Sequence, residues 1–283
     1  MPELPEVEVL VRHLAPRLEG RTIRSVAVPR RRAIEPWTPR KFGAYVRGTR
    51  IMAVTRRGKY LRFDLGRGAG PSECVLLGHL GMTGRMYLRP VGGALAPHVS
   101  VVFDLGEVEW VFEDARQFGG FFGNDRPLRH LGPEPLSEGF AAEDLSACLG
   151  ASRQPIKPRL MDQSVVAGLG NIYASEALHD AGIAPDRETR SVDREERVRL
   201  WGAIREVLSE AVRLGEAASL DFAGDGIRDG LFYYGRASAA AEAPEERFRV
   251  YDRAGRPCYR CGRPIERFVQ TGRSTFCCRA CQR

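Results

Sequence analysis

The chain has 283 residues and a formal net charge of +7, and only three of its 43 basic residues are lysines, Lys41, Lys59 and Lys157. The length predicts about two domains, and the positive charge points to a nucleic acid as partner, because eight arginines fall within residues 251–283. No apolar run is long enough to cross a bilayer and no basic-then-apolar leader opens the chain, so we expect a cytoplasmic protein rather than a membrane or exported one.

The first predicted element is a helix that begins in the opening MPELPEVEVL. Pro5 suits a first helical turn, where its missing N–H would have no partner, and the nearby glutamates suit the positive end of the helix dipole. A second interpretation concerns Pro2. Removal of Met1 would leave its ring nitrogen as the chain's amino group, and an α-amino group has a pKa of about 7.7–8.0, so part of it is unprotonated near neutral pH. Helix capping and a reactive amine both remain open at this point.

Five β-prone segments with glycine-containing turns follow, up to about residue 132. They are TIRSVAV, KYLRFDL, CVLLGHLGMTGRMYL, HVSVVFDLGEVEWVF and GGFFG. This half of the chain therefore predicts a β-sandwich or a β-barrel over residues 1–132. The Pro- and Gly-rich LGPEPLSEGF is expected to connect it to a second domain.

Beyond the connector the apolar pattern becomes helical, which predicts a helical domain over residues 133–248. The clearest helix is predicted over 197–214, with one apolar face that includes Val198, and with Gly215 as its stop. Residues 156–183 predict two helices around the turn AGLGN, with Asn171 as the cap of the second helix. Such a turn can present backbone N–H groups to phosphates, although helical hairpins without a ligand are commoner. GRASAAAEAPEER, at 235–247, predicts a loop.

Five of the seven cysteines lie within the last 26 residues, in a module that we expect to span 249–283. Two CxxC pairs separated by sixteen residues have the spacing of a structural zinc site with four thiolates, whereas disulfides suit small secreted proteins. The predicted ligands are Cys258, Cys261, Cys278 and Cys281, although Cys277 could replace Cys278. RFVQTGRSTF predicts a hairpin that turns at Thr271-Gly272. The two isolated cysteines, Cys74 and Cys148, are expected in the core.

Seven motifs, in order along nearly the whole chain, resemble those of the formamidopyrimidine-DNA glycosylase family. They are PELPEVE (2–8), RRGKYL (56–61), GHLGMTG (78–84), DARQFG (114–119), HLGPEPL (130–136), LMDQSVVAGLGNIYASEAL (160–178) and the tail from Cys258 to Gln282. The resemblance implies an α+β multidomain protein: an N-terminal β-sandwich, a helix-two-turn-helix domain and a C-terminal β-hairpin zinc finger with one structural Zn²⁺. It also implies a bacterial monomer that binds damaged double-stranded DNA and associates with the nucleoid.

The resemblance further implies a base-excision-repair enzyme that excises oxidised purines and cleaves the abasic site by β,δ-elimination. Pro2 would be the nucleophile that forms the Schiff-base intermediate at C1′, Glu3 the general acid or base, and Glu6 its support. Lys59 would donate a proton during β-elimination, which agrees with lysine at this position in an arginine-rich chain. Arg273 would serve δ-elimination, and because arginine is a poor proton source we expect it to stabilise the leaving phosphate electrostatically.

Enzymes of this kind extract the damaged base from the duplex, and the resulting void must be filled. The resemblance assigns this task to Met82, Arg116 and Phe118, although in isolation Met82 and Phe118 would more often be core residues. Contacts to phosphates are implied for His98, Arg116, Arg153, Lys157 and Asn171.

The chain departs from the family pattern at a few positions. Ala115 and Gln117 stand where the family usually has proline and arginine, and Ala96 stands where many members have histidine, which leaves His98 for that contact. The stretch from Phe232 to Val250 is longer than usual, in the region associated with capping the flipped base. Two alternatives remain: a Nei-type glycosylase for oxidised pyrimidines, disfavoured by PELPEVE, and a non-catalytic zinc protein that binds damaged DNA, disfavoured by Pro2, Glu3 and Lys59.

Overall fold

The computed structural model describes residues 2–67, 74–216 and 248–283. The chain divides into two compact units, Met1–Arg129 with Gly215–Phe232, and His130–Leu214 with Tyr233–Arg283. The loop predicted at 235–247, and most of the longer stretch that begins at Phe232, lie outside the described residues. Within those three ranges, no helix has the length and apolar character needed to cross a bilayer.

In the part of the first unit up to residue 129 that the structure describes, there are two four-stranded antiparallel sheets and two α-helices. The helices are α1 (Leu4–Leu18) and α2 (Pro39–Val46). The strands are β1 (Ser25–Ala27), β2 (Arg50–Arg57), β3 (Tyr60–Gly66), β4 (Cys74–His79), β5 (Arg85–Pro90), β6 (Val99–Asp104), β7 (Val108–Glu113) and β8 (Gly120–Phe122). One sheet has the order β2-β3-β4-β8 and the other the order β1-β6-β7-β5.

Aromatic side chains from both sheets form the core between them. Trp110 of β7 stacks on Phe103 of β6 with ring centroids 4.3 Å apart, and its ring lies 4.6 Å from that of Phe63 on β3 in the other sheet. Phe121 of β8 packs edge-on against Phe103 at 5.2 Å. Large aromatic surfaces dominate the energetics of such a core. The predicted β-sandwich is therefore confirmed over its closed alternative.

Sequence analysis did not predict strand β2 or helix α2, and two of the predicted segments each form two strands. Strand β2 was missed because its buried residues Ile51 and Val54 are three positions apart, with a register shift between Ile51 and Ala53, so they do not follow strict alternation. Helix α2 was also missed, although Thr38 caps it by accepting a hydrogen bond from the Lys41 N–H. The long segment CVLLGHLGMTGRMYL forms β4 and β5 in different sheets, so residues 80–84 pass from one sheet to the other.

Over its described residues, the second unit consists of α-helices and a C-terminal two-stranded hairpin. Its elements are α3 (Ala142–Leu149), α4 (Ile156–Met161), α5 (Asn171–Ala181), α6 (Arg194–Glu216), β9 (Glu266–Gln270) and β10 (Arg273–Cys277). The predicted stop at Gly215 is wrong, because α6 continues through it, and Val198 of the predicted apolar face is 45% exposed. The two helices around AGLGN are confirmed. Gly170, not Asn171, caps α5, and Asn171 is its first residue.

The predicted hairpin turns at the expected dipeptide. Arg273 pairs with Gln270, and the two loop residues Thr271 and Gly272 both have positive φ, 48° and 75°. Two left-handed residues are typical of a type I′ turn, whose twist matches that of the strands. A small apolar core stabilises the C-terminal module that contains this hairpin, and its buried residues are Val250, Cys258, Ile265, Phe276 and Cys278.

The isolated Cys74 and Cys148 are half-buried, so their assignment to the core was wrong.

Candidate active site and metal centre

The first turn of α1 fixes the opening of the chain. Pro2 is buried, and Glu3 and Glu6 are only 1% and 6% exposed. The Glu3 N–H donates a hydrogen bond to the Glu6 carboxylate at 2.8 Å, as in one half of a capping box. The helical interpretation of the opening is therefore confirmed, and it holds the peptide group next to Pro2 in place. The Glu6 carboxylate thus holds the backbone N–H of Glu3.

Lys59 occupies the second position of a two-residue turn between β2 and β3. Arg57 pairs with Tyr60 on either side of it, and Gly58 has a φ of +57°. A glycine with positive φ at the first turn position is typical of a type II′ hairpin, which a side chain there would strain. The turn therefore projects Lys59 from a defined backbone.

Arg56 joins this turn to α1. Its Nε donates to the Glu8 carboxylate at 2.8 Å, and its Nη1 donates to the carbonyl of Gly58 at 3.0 Å. Burial raises the pKa of Glu8, but the hydrogen bonds and charges of Arg56 and Arg12 outweigh it, and the pKa lies below its ordinary value of 4.5. One guanidinium thus links α1, which begins directly after Pro2 and Glu3, to the turn that carries Lys59.

His79, at the end of β4, lies close to this turn and had no role in the sequence analysis. The Gly81 N–H donates to its Nδ1 at 3.1 Å, and its ring packs 4.8 Å from that of Tyr60. Burial and, to a smaller degree, the charge of Lys59 lower the pKa of His79 to about 4, so the ring is neutral at physiological pH. One feature of the sequence could have identified His79: it is a polar residue at the end of an apolar strand, inside the motif GHLGMTG.

The three predicted void-filling residues lie on two neighbouring loops. Met82 is 39% and Phe118 52% exposed, so the core interpretation of both is wrong. The Arg116 guanidinium lies 4.8 Å from the centre of the Phe118 ring, a cation–π distance. The loops touch through their backbones, because a Cβ on Gly81 would lie 2.5 Å from the Gly119 nitrogen. Each of the two neighbouring loops therefore carries an exposed apolar side chain.

The other predicted DNA contacts of the first and second units differ in exposure. His98 is exposed, with its Nδ1 3.3 Å from a nitrogen of the Arg30 guanidinium, and Arg153 is also exposed. Lys157 is only 1% exposed, and its ammonium donates to the Thr275 hydroxyl at 2.9 Å and to the Ser274 carbonyl at 3.3 Å.

Asn171 reaches the same strand. Its Nδ2 donates to the Ser274 carbonyl at 3.0 Å, which explains why its side chain does not cap α5. Arg273, the residue before Ser274, is exposed beside the hairpin turn. Lys157 and Asn171 thus hold the backbone of the strand from which Arg273 projects.

Four cysteine sulfurs converge at the base of the hairpin and could hold a metal ion. The sulfurs of Cys258, Cys261, Cys278 and Cys281 all lie within 4.8 Å of one another. Two of the separations are 3.9 Å, between Cys258 and Cys281, and 3.4 Å, between Cys261 and Cys278, both far longer than a disulfide bond. The alternative ligand Cys277 is outside the cluster, and burial raises its pKa to about 11.

Two residues that sequence analysis did not single out support this module. Nε2 of His179, on α5, lies 3.6 Å from the Cys258 sulfur. The buried Glu176 carboxylate accepts hydrogen bonds from the backbone N–H groups of residues 249, 250 and 251 at 2.7 to 2.9 Å. Burial raises the pKa of Glu176, although these three bonds act in the opposite direction. Both side chains come from a helix more than seventy residues earlier, so no local sequence pattern links them to the hairpin.

Comparison with known proteins gives full-length matches. Residues 1–121 match the family model of the formamidopyrimidine-DNA glycosylase N-terminal domain, and residues 131–222 that of the formamidopyrimidine-DNA glycosylase H2TH domain. The formamidopyrimidine-DNA glycosylase of Carboxydothermus hydrogenoformans is 39% identical over 283 residues, which cover 100% of both chains. That of Thermus thermophilus is 42% identical over 292 aligned positions, with 100% of this chain and 98% of the relative covered.

Solved structures give the same result. A complex between the Lactococcus lactis Fpg and DNA containing an abasic site matches with a TM-score of 0.84 and 30% identity, over 99% of each chain. The crystal structure of the MutM (Fpg) protein from Thermus thermophilus matches with a TM-score of 0.81 and 40% identity, over 99% of this chain and 98% of that one.

Proposed function

The chain belongs to the formamidopyrimidine-DNA glycosylase family, whose members are DNA glycosylases with abasic-site lyase activity, and from that premise we propose a reaction that starts at Pro2 and acts on oxidised purines, namely 8-oxoguanine and formamidopyrimidines. The observation that carries the proposal is the capped start of α1. There the backbone next to Pro2 is fixed, and Arg56 ties the Lys59 turn to the same helix.

In the first step the Pro2 nitrogen, freed by removal of Met1, forms a bond to C1′ while the glycosidic bond breaks and the base leaves with its electron pair. Glu3 moves protons at the sugar and the base, and Glu6 holds the Glu3 backbone. Because proline is a secondary amine, ring opening of the sugar gives an iminium ion. This ion is the electron sink that later elimination requires.

The strand is then cleaved by two eliminations. The C2′ proton is lost, a C2′–C3′ double bond forms, and the 3′-phosphate departs with the electron pair of its bond to C3′. Lys59 acts as a proton donor to the DNA in this step. A second elimination releases the 5′-phosphate, and the exposed Arg273 stabilises the negative charge of that leaving group.

Base extrusion falls to the exposed loops of the first unit. Met82 and Phe118 fill the void as an apolar wedge, and the Arg116 guanidinium leaves its place over Phe118 to pair with the orphaned base. His98, Arg153 and Asn171 contact phosphates. The burial of Lys157 supports an indirect contribution to phosphate binding, through the backbone of β10.

Zinc is the metal that best fits the four cysteines. A tetrahedral Zn²⁺ with Zn–S bonds of about 2.3 Å separates its sulfurs by about 3.8 Å, close to the 3.4 and 3.9 Å observed. One zinc ion would supply the structural cross-link of a hairpin module over 249–283. We place the catalytic sandwich at 1–132 and the helix-two-turn-helix domain at 133–248, in a protein that acts as a monomer in the bacterial cytoplasm and on nucleoid DNA.

Borohydride trapping on a duplex with 8-oxoguanine opposite cytosine tests the function. The wild-type protein should give a covalent protein–DNA adduct, Pro2→Gly should give almost none, and Pro16→Ala, at an exposed proline within α1, should trap like wild type. Parallel duplexes with formamidopyrimidine and thymine glycol separate purine from pyrimidine preference. A strong preference for thymine glycol would support the Nei-type alternative, and the absence of any adduct would support a protein that only binds damaged DNA.

A further inference from the structure

Asp114, directly after β7, has a fully buried carboxylate that accepts four hydrogen bonds. Its Oδ1 accepts from the Thr83 hydroxyl at 2.6 Å and from the Arg116 N–H at 3.1 Å. Its Oδ2 accepts from the N–H groups of Phe118 and Gly119 at 2.8 and 2.7 Å. The residue is 0% exposed. A buried carboxylate is costly without such partners, so this one orders the loops around it.

These bonds reach both loops that carry the wedge. Arg116 and Phe118 receive bonds at their own backbones, and Thr83 is the residue next to Met82. The Thr83 hydroxyl also accepts from the Arg116 N–H at 3.3 Å, so it bridges the two loops. The backbone N–H of Asp114 donates to the carbonyl of His98 at 3.0 Å. A single residue is therefore connected to four positions at which we expect DNA contacts.

Glycines allow the close approach that this arrangement needs. Gly81 has a φ of +61°, and a Cβ there would lie 2.6 Å from the Phe118 carbonyl carbon. A Cβ on Gly119 would lie 2.5 Å from the His79 carbonyl oxygen. With backbone packed on backbone, the carboxylate of Asp114 satisfies N–H groups that would otherwise be buried without partners.

We propose that Asp114 is a positioning residue that presets Met82, Arg116 and Phe118 in the geometry needed to enter the duplex as the lesion leaves it. The proposal depends on the function proposed above for these three residues. Its physical basis is preorganisation: loops that are already ordered lose little conformational entropy when DNA binds, so more of the binding energy serves base extrusion.

The Asp114→Asn variant isolates the charge at nearly constant shape. An amide has one acceptor oxygen and one NH₂ group, so either the Thr83 and Arg116 pair or the Phe118 and Gly119 pair would face a donor. Asp104→Asn is the matched control. That carboxylate also organises a turn of the same sandwich, where it accepts from the Gly106 N–H at 2.8 Å and from the Ser25 hydroxyl at 3.2 Å.

The experiment measures two single-turnover reactions for each variant: 8-oxoguanine excision from a duplex, and borohydride trapping on a duplex that already contains an abasic site. Asp114→Asn should slow excision at least about tenfold and trapping less than about threefold, because the second substrate has no damaged base to unstack. Asp104→Asn should change neither. A 2-aminopurine placed opposite the lesion should brighten on binding of wild type and much less with Asp114→Asn, since its fluorescence reports unstacking.

The alternatives give different results. Equal rates for Asp114→Asn and wild type, or equal losses in both reactions, would overturn the positioning role. If wild type itself neither excised nor trapped, the proposed function would fail instead. Should Asp114→Asn not fold, Thr83→Val removes one hydrogen bond at similar shape. It should show the same selective loss at smaller size, and a Thr83→Val protein with wild-type excision and 2-aminopurine signals would contradict the proposal.

Discussion

The Arg56 guanidinium donates to the Glu8 carboxylate across 2.8 Å, and both side chains are mostly buried, 9% and 19% exposed. This ion pair joins α1 to the end of β2, and a second bond from Arg56 fixes the carbonyl of Gly58, next to Lys59. In the proposed reaction the Pro2 amine and Lys59 act on one sugar, so they need a fixed separation, and this contact connects the elements that hold them.

Loss of the Arg56 side chain should therefore affect both stability and chemistry. Arg56→Ala leaves a mostly buried carboxylate with fewer partners, so we expect the free energy of unfolding to fall by about 1–3 kcal/mol in urea denaturation. Arg62→Ala, which removes a pair with Asp64 on β3, should cost less than about 1 kcal/mol, because Arg62 is 37% exposed. Strand cleavage by Arg56→Ala should slow relative to base excision. Unchanged cleavage in a folded Arg56→Ala protein would argue against the connection.

The same pair predicts a dependence of stability on pH. Because the pKa of Glu8 in the folded chain lies below its ordinary 4.5, the carboxylate contributes stability above that pH, and the contribution is lost as pH falls through the folded pKa. The difference in unfolding free energy between wild type and Glu8→Gln should shrink between about pH 6 and about pH 3. A difference that stays constant over this range would contradict the pairing.

The cysteine cluster predicts different outcomes for loss of one of its members, Cys258, and for loss of Cys277, which lies outside it. Cys258→Ser should lose most of the bound zinc, measured by atomic absorption, and most of the affinity for DNA, because the proposed zinc ion would be the cross-link on which folding of the hairpin module depends. Cys277→Ala should retain about one zinc per chain, since Cys277 is buried outside the sulfur cluster. Retention of zinc by Cys258→Ser, or its loss from Cys277→Ala, would require a different ligand set.

The role of Arg273 is tested by the ratio of elimination products. Arg273→Ala should excise the base more nearly like wild type than it completes δ-elimination, so products of β-elimination should accumulate on a sequencing gel. Arg263→Ala, at another exposed arginine of the same module, should leave the ratio of products unchanged. If Arg273→Ala lost excision and δ-elimination to the same extent, it would act on binding and not on the leaving phosphate.

Elements with a strong local signal were predictable from the sequence. The hairpin at Thr271-Gly272, the four-cysteine spacing and the capped helix after Glu3 each depend on residues within a short stretch, and each has the expected form. The alternation of apolar residues also predicted the sandwich. Strand β2 was missed because its exposed positions weaken that alternation.

Features that depend on distant residues were not predictable. Lys157 has the sequence context of a surface cation, yet its ammonium is buried against Thr275, more than a hundred residues away. Asn171 is likewise drawn from its expected capping role by the Ser274 carbonyl. Asp114 stands within a recognised motif, but only the packing of two loops shows that its carboxylate joins them.

The proposed covalent reaction at Pro2 is tested most directly by identifying the protein atom that becomes joined to the sugar. The small number of lysines makes the assignment unambiguous, because the sequence offers only three side-chain amines that compete with the amino terminus: Lys41, Lys59 and Lys157. Borohydride-trapped protein should be digested and sequenced by tandem mass spectrometry. We predict a deoxyribose remnant on the nitrogen of Pro2, at the head of a polypeptide that lacks Met1. A remnant on a lysine, or a trapped chain that still begins with methionine, would contradict the proposed reaction.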